Sequence, residues 1–156
     1  MAEMRQPKSD QNYVFSATSM LANRLQVAGD QVTGDISFKQ WLVLLIVREM
    51  PVGSSVADIA RQHGSTRQNV MKLLRELSLR GYVRIEQAET DKRSYAVFMT
   101  EEGSATMKRI SVSGNDFVCA LFNGSSPSDI AVMRRVMTQM LFNLDSLTSA
   151  PRKELS

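Results

Sequence analysis

The stretch "GSTRQNVMKLLRELSLRGY", residues 64–82, interleaves two kinds of side chain at helical spacing. Val70, Leu73, Leu74 and Leu77 recur every three to four positions and form an apolar stripe, which leaves Arg67, Gln68, Asn69, Met71, Lys72 and Arg75 off it. These six are types suited to reading base edges: Gln and Asn pair two-point with adenine, Arg with guanine, and Met touches the thymine methyl. Ser65 and Thr66 precede them, where the free amides of a helix N-terminus suit a phosphate. Any surface helix has a polar face, so residue types alone decide little, and the neighbouring segment adds the information.

That segment is "ETDKRSYAVF", residues 89–98, a knot of mixed charge followed by alternating apolar text. Lys92 and Arg93 are more cationic than a solvated turn requires. On a hairpin beside a recognition helix they fall where a duplex brings its backbone and minor groove close, and Arg fits both phosphate and a narrow minor groove. Asp91, two residues before Arg93, is repelled by DNA and suits a brace that aims the guanidinium. Between Arg61 and Arg93 there are eight Lys/Arg against four Asp/Glu, although the whole chain carries only +3. The basic excess therefore lies in one block, as a polyanion partner selects.

Other chemistries find little support. With one cysteine, Cys119, and one histidine, His63, the 156-residue chain cannot close an intramolecular disulfide and has no His/Cys metal cluster. It has neither a Gly-flanked serine elbow nor a phosphate loop. The sequence predicts a non-enzyme without cofactor or metal. Cys119 lies in "DFVCALF", which reads as a buried structural thiol. The start "MAEMRQPKSDQ" is polar and the longest apolar run is the seven residues "WLVLLIV", so the expectation is a cytoplasmic protein that does not enter a membrane. A composition of 43% hydrophobic and 22% charged residues sits in the soluble globular range, and the length suits one domain.

Six helices and a hairpin must position these residues. A first helix is expected from Val14 to near Gly29, after a loose arm at 1–11, with "QVTGDI" as a loop. Ser37 and Gln40 form a capping box for a buried helix over about 38–50, with Ile36 stapled on Trp41. A helix to His63, a turn at Gly64 and a helix over about 66–80 make a helix-turn-helix. After Gly81 the period switches to two, and "YVRIEQ" and "YAVFMT" pair as a hairpin through residues 88–94. Thr100 caps a helix to about Phe122, and Ser126 and Pro127 open a last one. Ile130, Met133, Met137, Met140, Leu144 and Leu147 then make a short heptad seam, which points to a second copy of the chain. The fold class is mainly α with a small β-hairpin wing. A winged helix-turn-helix lobe over about 37–100 is joined by dimerisation helices over about 12–30 and 101–148, and 149–156 is a loose tail.

The segment "VADIARQHGSTRQNVMKLLRELSLRGYVRIEQAETDKRSYAVFMTEEG" resembles the MarR family of transcriptional regulators. The resemblance rests on "LSLRGYV", the D-x-R at Asp91 and Arg93, and Thr100 with Gly103 beyond. It implies a homodimer joined through terminal helices, with recognition helices in successive major grooves of a pseudo-palindromic operator and wing arginines in the minor groove. Gln68, Asn69, Met71 and Lys72 then face bases, and Arg93 is the wing-tip arginine. It also implies a repressor released by a small aromatic effector, for which Tyr13, Phe15, Trp41 and Phe117 could line a cleft, although aromatics at helical spacing more often pack a core. Relatives that sense peroxide carry a cysteine in the first helix and zinc-sensing ones several histidines, and this chain departs from both patterns. The rival expectation is a winged-helix module that binds an acidic protein and no specific DNA.

Overall fold

In the computed structural model, residues 8–87 and 94–149 are described. The chain divides into two compact units, one up to Phe117 and one from Val118.

The first helix, α1 (Ser9–Thr33), is longer at both ends than the periodicity predicts. It opens at Lys8, whose amide donates to Gln11 Oε1 at 2.8 Å. Gly29 does not end it. Gly29 is buried within α1, and a Cβ there would lie 2.1 Å from Phe38 Cδ2, so the missing side chain admits the first turn of the next helix. "QVT" is accordingly helical rather than loop, and the chain turns at Gly34 with φ of +64°. The Thr33 hydroxyl donates to the Ile36 carbonyl at 2.6 Å, and Asp30 Oδ1 accepts from the Phe38 amide at 2.6 Å. The two helices are thereby stitched together at the bend.

The capping box of α2 (Phe38–Glu49) forms as its sequence predicts: Ser37 Oγ accepts from the Gln40 amide at 3.2 Å, and Gln40 Oε1 accepts from the Ser37 amide at 2.9 Å. Trp41, Val43, Leu44 and Val47 are buried, which makes α2 the central rod of the core. Burying such side chains contributes about 1.5–3 kcal/mol each before conformational entropy is set against it.

Around that rod lie α3 (Val56–His63), capped by Ser55, and α4 (Arg67–Leu79), capped by Thr66. Gly64, in the left-handed region at φ +69°, makes the joint between them. Val56, Ile59 and Ala60 of α3 and Val70, Leu74 and Leu77 of α4 close on the same core. Then β1 (Val83–Gln87) and β2 (Tyr95–Met99) pair antiparallel, Val83 opposite Met99 and Ile85 opposite Val97. The hairpin is also bonded to the corner before α3, since the Val97 amide donates to the Ser54 carbonyl at 3.1 Å and Ser55 bridges to Ala96.

Thr100 starts α5 (Glu101–Leu121): its hydroxyl accepts from the Gly103 amide at 3.0 Å and donates to the Gly81 carbonyl at 2.6 Å. Gly114 lies within the helix. It is buried, and a Cβ there would lie 2.8 Å from Trp41 Cζ2, so the glycine seats α5 against the indole. Beyond Phe117 the expectation of burial fails for Cys119, which is exposed, as are Val118 and Ala120. In the second unit, α6 (Pro127–Ser149) is opened by a reciprocal pair, with Ser126 Oγ accepting from the Asp129 amide and Asp129 Oδ2 from the Ser126 amide, both at 3.1 Å. Five of its six heptad positions are exposed, from 37% at Ile130 to 74% at Leu147, and Met140 is half-buried.

Candidate nucleic-acid interface

The apolar stripe of α4 faces the core, with Val70, Leu74 and Leu77 at zero exposure and Leu73 half-buried against them. A helix fixed on one side presents the opposite side, and Arg67, Gln68, Asn69, Lys72 and Arg75 are all exposed there. Gln68, Asn69, Met71, Lys72, Arg75, Glu76 and Leu79 line one shallow groove along the helix. The structure thus brings together five of the six base-reading candidates in one strip, with Arg67 at its N-terminal edge. Met71 differs from the others because it is half-buried and packs against the core.

The N-terminus of α4 is organised by its cap. Thr66 Oγ1 accepts from the Asn69 amide at 3.2 Å, and the Asn69 side-chain amide leans back to Ser65 Oγ at 3.5 Å. The other early amides of the helix retain the positive end of the helix dipole, where an anion is favoured. Thr66 is exposed and Ser65 half-buried.

Asp91, Lys92 and Arg93 lie outside the described residues. The stem that carries them is defined: Arg84 on β1 lies 4.9 Å from the centre of the Phe98 ring and pairs with Glu86. Phe98 in turn rests on Gly53, where a Cβ would approach the ring to 3.2 Å. Arg84 is a cation beside the wing that its residue type alone did not single out.

His63, in the last turn of α3, is half-buried, and both ring nitrogens are enclosed without a hydrogen-bond partner. Burial, aided by the charge of Lys39, holds its pKa below the ordinary 6.5, so the ring is neutral near pH 7. On the exposed side of α3, the Ser55 hydroxyl and Arg61 hold the Asp58 carboxyl below its usual range.

The four effector-cleft candidates are placed differently from one another. Tyr13 and Phe15 are exposed and two positions apart on α1, so they point to different sides of that helix. Trp41 is buried in the core beside Phe38, with ring centres 5.7 Å apart, and Phe117 is half-buried on α5. The groove along α4 contains none of them, nor does one along α6 lined by Ala131, Val132, Arg134, Arg135, Thr138, Gln139 and Phe142. Among the described residues no group of three or more His, Cys, Asp or Glu could hold a metal ion, and no helix is long and apolar enough to cross a membrane.

Residues missed at the level of sequence are those that hold α4 from behind. Gln40 is buried, and its Nε2 donates to Glu76 Oε2 at 2.8 Å, while Arg80 donates to the Asp35 carbonyl. Capping-box spacing reveals that Gln40 bonds locally but not that its other end reaches a helix 36 positions away.

Comparison with known proteins agrees with this architecture. Residues 34–94 match the model of the MarR family. The transcriptional activatory protein BadR of Rhodopseudomonas palustris is 32% identical over 96 residues, covering 59% of this chain and 55% of that protein. The chain thus spans about half the length of that curated relative. Among solved structures, Sco3205, a MarR family transcriptional regulator from Streptomyces coelicolor in complex with DNA, superposes with a TM-score of 0.77 at 20% identity, over 98% of this chain and 96% of the other. CouR from Rhodococcus jostii bound to p-coumaroyl-CoA gives 0.73 at 20% identity, over 83% and 91%.

Proposed function

We propose that the chain, whose residues 34–94 match the MarR family model, is a transcriptional regulator of that family that binds a specific pseudo-palindromic DNA duplex as a homodimer. The observation that carries the reading is the two-sidedness of α4. One face is sealed into the core at Val70, Leu74 and Leu77, and the other presents Gln68, Asn69, Lys72 and Arg75 as a continuous exposed strip. A helix held this way enters a major groove with a fixed face toward the bases.

The roles follow from chemistry. Gln68 and Asn69 offer two-point bonds to adenine, Arg75 offers a fork to guanine, and Lys72 is placed for a phosphate or a guanine edge. Met71, half-buried, reaches a thymine methyl only at the groove floor. Ser65, Thr66 and Arg67 meet backbone phosphate at the helix N-terminus. On the wing, Lys92 and Arg93 contact the backbone or minor groove with Asp91 as their brace. In this reading the exposed heptad side chains of α6 offer apolar surface to a second copy, and the two recognition helices of the pair meet half-sites about one helical turn apart. No step of chemistry is required of the protein.

For the sense of regulation we propose repression by occupying the operator, relieved by a small aromatic effector that engages Tyr13, Phe15, Trp41 or Phe117. CouR, captured with p-coumaroyl-CoA, supports the effector, and BadR, named an activatory protein, marks the opposite sign as the competing outcome.

The test is selection of duplexes from a random pool by the whole 156-residue chain, followed by binding to the selected site and to a scrambled one. Enrichment of an inverted repeat bound in a salt-sensitive manner is expected. Equal affinity for both duplexes would refute specific recognition and favour an acidic protein partner for the basic block. Transcription from a promoter bearing the selected site, with and without the protein, then distinguishes repression from activation.

A further inference from the structure

The rotation of α4 about its own axis decides which of its side chains meet the bases. Van der Waals packing at Val70, Leu74 and Leu77 seals one face, but aliphatic contacts tolerate small rotations, whereas base-edge hydrogen bonds operate within about 2.7–3.2 Å. A directional contact on the flank of the helix is needed to fix the face.

Gln40 supplies it. Only 6% exposed, it uses both ends of its carboxamide: Oε1 accepts from the Ser37 amide at 2.9 Å, and Nε2 donates to Glu76 Oε2 at 2.8 Å. Reversing the amide would oppose two donors at one end and two acceptors at the other, so its orientation is determined by its partners. The Ser37 end belongs to the α2 capping box and is therefore anchored to backbone. Glu76 lies four residues after Lys72, which lies three to four after Asn69 and Gln68, so all share one strip of α4. Holding Glu76 holds that strip.

A second effect has the same origin. A carboxylate one turn beyond Lys72 could turn onto that ammonium and neutralise charge meant for phosphate. The Gln40 amide draws that carboxylate back toward α2.

We infer that Gln40, acting through Glu76, is a positioning residue for sequence-specific DNA recognition: it sets the rotation of α4 and keeps the Glu76 carboxylate away from Lys72. The inference rests on the reading of α4 given under Proposed function. It predicts a loss of discrimination that exceeds the loss of general DNA binding when the bond is broken without disturbing the fold.

The decisive variants are Glu76→Ala, which removes only the acceptor at a half-exposed position, and Gln40→Glu, which replaces the donor with a second carboxylate. A third, Gln40→Glu with Glu76→Gln, exchanges the two groups and restores a donor–acceptor pair. Each is compared with the wild-type chain on the duplex that the wild type selects from a random pool and on a scrambled duplex, with thermal unfolding measured alongside. Glu76→Ala and Gln40→Glu should weaken binding to the selected duplex by about 5- to 150-fold, the worth of one well-made base contact, with a smaller change on the scrambled one. The exchanged pair should recover most of it. If Gln40→Glu fails to fold, Glu76→Ala alone decides. Undiminished discrimination by a folded Glu76→Ala chain overturns the inference, as does an exchanged pair that folds yet stays as impaired as Gln40→Glu. A wild-type chain that selects no duplex overturns the underlying reading and this inference with it, so the two failures are distinguishable.

Discussion

At the scale of single residues, the proposed interface separates side chains that read sequence from those that hold the duplex. Gln68 and Asn69 belong to the first group and Arg93 to the second. Replacing Arg93 by alanine should lower affinity on selected and scrambled duplexes alike, and each phosphate that its guanidinium no longer neutralises reduces the slope of log affinity against log salt by about 0.9. Filter binding over a range of salt measures this, and an effect confined to one base pair would instead make Arg93 a base reader. His63 gives a second residue-scale prediction. Its folded pKa lies below the ordinary 6.5, so between those two values the unfolded chain holds more protons than the folded one. Stability should therefore be full above about pH 6.5 and decline as pH falls toward the folded value. Thermal midpoints in a pH series check this, and His63→Gln should flatten that part of the curve. Residue types made most of the α4 strip legible in the sequence, because a helical stripe fixes its complement. The second use of Gln40 was not legible, since a bond between residues 36 positions apart leaves no local pattern.

At the scale of elements, periodicity and caps located the six helices and two strands of the described residues, and the structure departs where a glycine serves packing. Gly29 resembles a helix end because glycine commonly follows one. In the fold it is the site where the Phe38 ring, at the start of α2, packs onto α1, and only the partner helix reveals that. Gly114 has the same explanation through Trp41. Replacing Gly29 by alanine should thus destabilise the first unit by about 1–3 kcal/mol by overpacking against Phe38, despite alanine's better helix propensity. Denaturant unfolding checks the sign, and a neutral or stabilising result would mean the Phe38 ring yields easily. Cys119 was misjudged because an apolar run in a helix does not by itself say which of its residues face the chain's own core.

At the scale of the whole molecule, the exposed apolar positions of α6 are the feature that a single copy leaves uncompensated. Met137 and Leu144 lie one heptad apart at 42% and 53% exposure. The chain should sediment at twice the monomer mass, and Met137→Glu with Leu144→Glu should shift it to the monomer while leaving the helix-turn-helix folded. Binding to the inverted repeat should then fall by about 100-fold or more, because the second half-site no longer benefits from effective concentration. Wild-type chain that stays monomeric at high concentration would remove the basis for reading an inverted repeat.

The bond from the Val97 amide to the Ser54 carbonyl carries a consequence for how the wing breathes. A two-stranded ribbon alone is marginal in water, yet this one cannot peel away without parting the corner that launches α3. Deuterium should consequently enter the Val97 amide only when the lobe opens cooperatively, at a rate matching the most slowly exchanging amides of α2. Whatever loosens that corner, by heat or by ligand, should unlatch the ribbon at the same moment.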